Sequence, residues 1–174
     1  MNNGRKYEFS WELLGDLKEG RPNLGPMTRL EVYRLMQFCM RDVLEKNYGA
    51  EVADKIFYDA GYLAGNHFYK QMIGKPADLD EFVKTLQTLL KDLNIGVLRI
   101  EEYDAQSGKI VLTVSEDLDC SGLPELDYEI CVYDEGFIAG ILDNFTGSSY
   151  KVKEVDCWCT GDRTCRFLAV PQKA

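Results

Sequence analysis

Histidine is almost missing from this 174-residue chain, which contains one, His67. Catalytic arrangements of the Ser-His-Asp or Cys-His kind would therefore all depend on that side chain. No acidic residue stands in helical register with His67, so a partly buried structural histidine is the simpler interpretation. We predict no catalytic residues and expect no catalytic activity from the chain on its own.

Nucleotide-binding patterns are also absent, because no GxGxxG follows a strand and no GxxxxGK[ST] occurs. Basic residues are scarce: 20 Lys and Arg stand against 29 Asp and Glu, which gives a net charge of -9. A general nucleic-acid binder needs a basic stripe that displaces counterions from phosphates. We therefore expect neither a nucleotide nor a nucleic acid as partner.

Long apolar runs are missing as well, so the sequence predicts neither a membrane span nor a secretory leader. The chain is 45% hydrophobic and 28% charged, which is typical of a globular protein with a core of its own. We expect a cytoplasmic location, where thiols stay reduced. Clustered cysteines bind metal in that compartment more often than they form disulfides.

The first half of the chain predicts three amphipathic helices after an N-terminal arm at residues 1–26. The arm has some strand character, followed by Gly and Pro residues that interrupt regular structure. A helix over 28–48 is predicted to begin at the capping-box pair Thr28 and Glu31, with apolar residues at helical spacing. A second helix follows, and Asp78 is predicted to cap the third.

After Gly96 the helical period gives way to alternation of apolar and polar residues. This alternation predicts strands in VLRIEEY, KIVLTVS, YEICVY, YKVKEVDCW and TCRFLAV, with a short helix in DEGFIAGILDNFTG. The predicted fold class is α+β, with amphipathic helices packed on a largely antiparallel sheet. The last two strands form a C-terminal hairpin.

The segment EVDCWCTGDRTC places several metal-binding residue types around one turn. Cys157 and Cys165 flank the turn, and Glu154 lies three residues before Cys157. In a regular strand Glu154 and Cys157 would point to opposite faces, so joint ligation requires a bulge or an early strand end near residues 155–156. Cys131, in the predicted strand YEICVY, is a candidate for a further ligand.

From spacing alone, three interpretations of these cysteines stay open. They are a metal site, reduced thiols without a ligand, and a disulfide or redox pair, for which Cys157 and Cys165 have the easiest geometry. The absence of Cys-x-x-Cys weakens the redox interpretation.

Residues 131–170 resemble the 4-vinyl reductase domain family. The shared features are a Cys, a Gly-Phe-x-x-Gly helix start, Glu-x-x-Cys, Gly-Asp and Cys-x-Phe. The family includes predicted hydrocarbon-binding proteins, accessory proteins of bacteriochlorophyll synthesis and sensor domains of phenol-responsive transcription activators. Its fold is similar to that of TRAPP trafficking subunits. The order of helices and strands extends the resemblance, so we predict one small-molecule-binding domain over 27–174.

The resemblance implies a structural zinc held by Cys131, Glu154, Cys157 and Cys165. Four protein ligands leave no open position for catalysis. The remaining cysteines fall outside this set: Cys120 is interpreted as a loop thiol, Cys159 as a strand thiol and Cys39 as a core residue.

The resemblance also implies an apolar pocket beside the second helix. The candidate ligand-binding residues are Phe57, Ala60, Gly61, Ala64, His67 and Phe68. In the phenol sensors a His and a Trp upstream of the first metal Cys read the ligand's hydroxyl. No Trp occurs here between Trp11 and Trp158, which speaks against phenol specificity.

The first functional hypothesis is a binding or sensing domain for an apolar small molecule, with its output through a homodimer or a protein partner. One alternative is an accessory protein of tetrapyrrole vinyl reduction. The other is a TRAPP-like interaction protein whose core is filled and which takes no ligand.

Overall fold

The computed structural model describes residue 4 and residues 6–172. Parts of two predicted segments lie outside the described residues: residues 1–3 and 5 of the arm, and the last two residues of the domain. Within the described part, the chain is an α+β fold with five α-helices and a four-stranded sheet.

The α-helices occupy the first half of the chain and one segment between the strands. Their bounds are α1 Leu17–Gly20, α2 Leu30–Tyr48, α3 Ala50–Phe68, α4 Leu79–Asp92 and α5 Val132–Thr146. Short 3₁₀ turns form at Trp11–Leu14 and Trp158–Thr160, and a π-helical turn at Tyr69–Ile73 extends α3. Asp78 caps α4 as predicted, because its carboxylate accepts the backbone N–H of Glu81 at 2.9 Å.

The sheet is antiparallel throughout, in the order β1-β2-β4-β3. Its strands are β1 Val97–Tyr103, β2 Ile110–Ser115, β3 Tyr150–Asp156 and β4 Cys165–Pro171. The predicted β1-β2 hairpin and the C-terminal hairpin are both confirmed. The inward faces of β2 and β4, together with α4 and α5, form the hydrophobic core.

Helices α3 and α5 cross at unusually close range. A Cβ at Gly61 would overlap the carbonyl oxygen of Tyr133, and a Cβ at Gly136 would overlap that of Tyr58. Gly65 faces α5 in the same way. The small residues of α3 therefore serve to bring another backbone close.

Three local predictions were wrong. The segment YEICVY is not a strand, because Tyr128–Ile130 is irregular and α5 begins at Val132. Its alternating pattern is overridden by the tertiary packing of α5 against α3. The arm contains 3₁₀ and α-helical turns where strand character was predicted. Helix α2 begins at Leu30 after Arg29, without the predicted side-chain cap.

Helix α2 turns its apolar side outward. Val32, Leu35 and Met36 are 59%, 68% and 62% exposed. Cys39 is exposed too, so its predicted role in core packing is wrong. Polar side chains hold this helix to the domain instead: the guanidinium of Arg34 donates to the backbone carbonyls of residues 117, 118 and 121.

Among the described residues, no helix combines the length and apolar character that crossing a bilayer requires.

Candidate metal centre and ligand cavity

Four buried cysteines converge where α5, the β4 strand and two loops meet. The sulfurs of Cys120, Cys131, Cys157 and Cys165 all lie within 4.8 Å of one another. Each of the four side chains is fully buried. The structure therefore brings together three residues of the predicted metal set and adds Cys120, which the sequence gave no reason to include.

The sulfur separations suit a thiolate-bound ion. The Sγ atom of Cys131 lies 3.9 Å from that of Cys157 and 3.9 Å from that of Cys165. Four ligands at a Zn–S distance of about 2.3 Å form a tetrahedron with edges of about 3.8 Å. The Sγ atoms of Cys120 and Cys165 are closer, at 3.0 Å, but all six cysteines are free thiols. The donor set thus fits a thiophilic divalent ion.

Cys131 is positioned by the start of α5, where it is the N-cap residue. The positive end of a helix dipole stabilises a thiolate at that position. This stabilisation matters because four thiolates around a dication leave a formal charge of about -2 in a buried place. The basic residues that the sequence offers nearby are engaged elsewhere: Lys153 pairs with Glu135, and Arg166 with Glu101 and Asp156.

A bulge in β3 places Glu154 and Cys157 on the same side. The register between β3 and β4 shifts between Glu154 and Asp156, so Val155 is the extra residue. Both Glu154 and Cys157 consequently point inward and are buried. This is the irregularity near residues 155–156 that the sequence required for joint ligation.

Glu154 lies at the border of the four-cysteine cluster. Its Oε2 atom accepts the backbone N–H of Cys131 at 3.3 Å, while its buried Oε1 atom has no hydrogen-bond partner within the described part of the chain. Burial, followed by the charge of Cys157, raises the pKa of the Glu154 carboxyl to about 9. Glu154 is therefore beside the cluster, but the structure does not group it with the mutually close sulfurs.

Cys120 is placed by a tight turn. The Oδ1 atom of Asp117 accepts the backbone N–H groups of Asp119 and Cys120 at 2.8 and 3.0 Å. Arg34 of α2 binds the carbonyls on both sides of this turn. The sequence signal that could have found Cys120 is the Asp-x-Asp-Cys-Ser-Gly pattern, which is typical of a side-chain-stabilised turn.

A cavity of about 500 Å³ lies between the arm, α3 and the first turns of α5. This volume is within the range of small-molecule sites. The lining is mostly apolar and aromatic, and comprises Phe9, Trp11, Leu14, Tyr33, Ala60, Leu63, Ala64, His67, Phe68, Ile95, Leu118, Asp119, Tyr133, Asp134 and Phe137. Tyr133, Asp134 and Phe137 follow directly after Cys131, so the cavity and the cysteine cluster share the start of α5.

One end of the cavity is polar. The carboxylate of Asp119 accepts from the Tyr33 hydroxyl at 2.8 Å and from the Gln37 amide at 2.7 Å. Burial raises the pKa of Asp134 well above its usual range, and the charges of Asp119 and Asp117 add to the shift. Burial likewise raises the pKa of Asp117 to about 7, with Asp119 as the next cause.

The structure divides the predicted ligand-binding residues into two groups. Ala60, Ala64, His67 and Phe68 line the cavity. Gly61 lies instead in the α3-α5 crossing.

Phe57 packs under the guanidinium of Arg41, whose carbon lies 4.9 Å from the ring centroid, and it borders a smaller space between α2 and α3. The sequence missed the arm: Phe9 packs edge-on against His67, with 4.9 Å between ring centroids, and Trp11 lines the cavity nearby.

With this geometry in place, the comparison with known protein families is decisive for the C-terminal part. Residues 110–171 match the 4-vinyl reductase domain. The predicted resemblance to that family is thereby confirmed. The matched segment runs from β2 to β4 and contains all four cysteines of the cluster.

Two uncharacterized proteins of Methanocaldococcus jannaschii are related over most of the chain. One is 24% identical over 145 residues, covering 83% of this chain and 77% of the relative. The other is 26% identical over 144 residues, covering 83% and 78%.

Solved structures agree on the fold that surrounds the 4-vinyl reductase domain. The phenol-responsive sensory domain of the transcription activator PoxR, solved with phenol, has a TM-score of 0.63 at 15% identity and covers 84% of this chain and 76% of that one. A vinyl-4-reductase family protein from Methanocaldococcus jannaschii has a TM-score of 0.59 at 19% identity, with coverage of 86% and 85%.

A trafficking protein particle complex subunit 3 from Naegleria fowleri, covalently bound to palmitic acid, has a TM-score of 0.64 at 12% identity, with coverage of 83% and 95%. At these identities the similarity concerns the fold alone.

Proposed function

We propose that this protein is a binding or sensing domain for an apolar small molecule, and that the cavity between the arm, α3 and α5 holds that molecule. The match to the 4-vinyl reductase domain and the fold shared with a phenol-sensing domain fit a small-molecule sensing role. The observation that carries the proposal is the cavity itself, because a space of about 500 Å³ with an aromatic lining is costly to leave unfilled.

The same cavity argues against the TRAPP-like alternative without a ligand, which calls for a packed interface between helices and sheet. The tetrapyrrole alternative would need a reductant, and no observation on the described residues favours it. We retain the binding domain as the function and treat residues 27–174 as its extent, with the arm as a cover over the cavity.

The cysteine cluster is proposed to hold a structural zinc. Cys131, Cys157 and Cys165 would be ligands, as the family resemblance implies, and the sulfur geometry favours Cys120 over Glu154 as the fourth. Zinc would tie the turn at Cys120 and the β3-β4 connection to the start of α5. A site filled by four protein ligands would have a structural rather than a catalytic role.

A homodimer is proposed as the form that carries the output. The exposed apolar residues of α2 recur at helical spacing on one side: Val32, Leu35, Met36, Met40 and Val43. Contiguous apolar surface of this kind marks interaction sites in soluble proteins. A second copy of this chain is the proposed occupant, because a two-fold axis would pair the stripe with itself.

The ligand site is tested with the neutral apolar dye phenylnaphthylamine, whose fluorescence rises in apolar surroundings. We expect saturable binding of one dye per chain. Ala64→Phe should weaken the binding at least about tenfold, because the added ring fills the cavity. Ala50→Phe, at an exposed position outside the cavity, is the matched control and should leave the affinity unchanged. Equal binding by the two variants would contradict the proposed site.

A further inference from the structure

The polar end of the cavity contains a carboxylate whose hydrogen-bonding capacity is not used. Asp134 lines the cavity and is partly buried. Its Oδ2 atom is shielded from solvent and has no hydrogen-bond partner among the described residues. A buried carboxylate oxygen without a donor costs free energy, so an arrangement of this kind is stable when a donor is supplied from outside the chain.

The other acidic groups at this end have donors within the protein. Both oxygens of Asp119 are engaged, one by the Tyr33 hydroxyl and one by the Gln37 amide. The Oδ1 atom of Asp117 accepts two backbone N–H groups of the Cys120 turn. Asp134 differs from them in having a buried oxygen that is left over.

Two carboxylates also lie unusually close together here. Oxygens of Asp117 and Asp134 and the sulfur of Cys131 lie within 4.8 Å of one another. The nearby guanidinium of Arg34 donates to backbone carbonyls rather than to these carboxylates. Like charges at this distance in a poorly solvated place repel each other, and a hydrogen-bond donor or a cation relieves the repulsion. An anionic ligand would increase it.

We propose that Asp134 selects ligands that carry a hydrogen-bond donor, an amine or a hydroxyl, on an apolar body. This inference rests on the proposed function, since it specifies the ligand class of the same cavity. The aromatic lining would bind the apolar body, and the Asp134 carboxylate would accept from the donor. Ligands that end in a carboxylate would be rejected.

Four probes of nearly equal shape test this selectivity by calorimetric titration. They are pentylbenzene, phenylbutanol, phenylbutylamine and phenylbutanoate. We expect the amine, the alcohol or both to bind at least about tenfold more tightly than the hydrocarbon, as one well-placed hydrogen bond to a charged group provides. The carboxylate should bind more weakly than the hydrocarbon. The ratio of amine to alcohol reports whether the carboxylate prefers a cation or a neutral donor.

Asp134→Asn then isolates the residue, with Asp92→Asn, an exposed position at the end of α4, as the control of equal charge change. The donor advantage should fall about tenfold in D134N and persist in D92N, while pentylbenzene binds both as it binds the original protein. The probe comparison in the unaltered protein still decides the proposal if D134N does not fold. Equal affinity for hydrocarbon and donors would overturn the inference and leave the proposed function standing. Failure of all four probes to bind would overturn both.

Discussion

Cys120 and Cys159 are both buried thiols near the metal candidate, yet their positions differ in kind. The sulfur of Cys120 lies within the four-cysteine cluster, while Cys159 sits in the 3₁₀ turn, where its carbonyl accepts the N–H of Leu126. Sequence spacing could not separate the two, because Cys120 is distant along the chain and enters the cluster through a turn. A ligand contributed from a remote loop leaves no local periodic signal.

The ligand set is tested by cysteine substitution. Cys120→Ser should transfer its zinc to a chromogenic chelator much faster than the unaltered protein, and Cys159→Ser should behave like the unaltered protein. Glu154→Gln should show an intermediate loss, since residues that orient ligands typically change metal affinity by about 10- to 100-fold. The zinc content is measured by inductively coupled plasma mass spectrometry. If E154Q lost zinc completely while C120S kept it, Glu154 would be the fourth ligand.

Gly61 provides a second prediction at the residue scale. Gly61→Ala should lower the free energy of unfolding by about 1–3 kcal/mol or more, because its methyl group would overlap the backbone of α5 at Tyr133. Gly20→Ala, where a Cβ meets nothing within 4 Å, should change it by less than about 0.5 kcal/mol. Denaturant titration measures both. A stable G61A would mean that α3 and α5 are not in close contact.

At the scale of secondary structure, the sequence predicted what depends on local pattern. The helices of the first half, the Asp78 cap, both hairpins and the β3 irregularity follow from periodicity and from the spacing of Glu154 and Cys157. The assignment of YEICVY failed because alternation cannot reveal that Gly136 and Gly140 draw this region into a helix against α3. The outward orientation of α2 was hidden for a related reason, since its apolar spacing resembles that of a core helix.

Helix α2 should therefore contribute to association. Leu35→Glu, placed in the middle of the exposed apolar stripe, should shift a dimer to monomer in size-exclusion chromatography with light scattering. Lys46→Gln lies on the same helix at an exposed position, changes the net charge equally and should remain dimeric. A protein that is already monomeric at micromolar concentration would exclude the dimer.

The arm is the other element with an assigned role. Trp11→Ala should speed dissociation of phenylnaphthylamine at least about tenfold, because the indole forms part of the cavity wall. Leu24→Ala, at a 76% exposed position in the same arm, should leave the rate unchanged. Stopped-flow fluorescence measures the rates. Equal rates in the two variants would indicate that the arm does not cover the bound molecule.

At the scale of the whole molecule, the start of α5 joins the two proposed sites. Cys131 belongs to the cysteine cluster, and Tyr133 and Asp134 line the cavity. On the far side, Tyr33 and Gln37 of α2 bind Asp119, which precedes Cys120. A ligand in the cavity would thus contact elements that lead both to the metal candidate and to the exposed face of α2.

The central claim is one ligand site and one metal site in the same chain, and native mass spectrometry of the freshly purified, reduced protein tests it most directly. With phenylnaphthylamine added, the account predicts one zinc and one dye per chain, with Ala64→Phe losing the dye and keeping the zinc. A chain that carries zinc but binds no dye would contradict the ligand site, and a chain without metal would contradict the role assigned to the four cysteines.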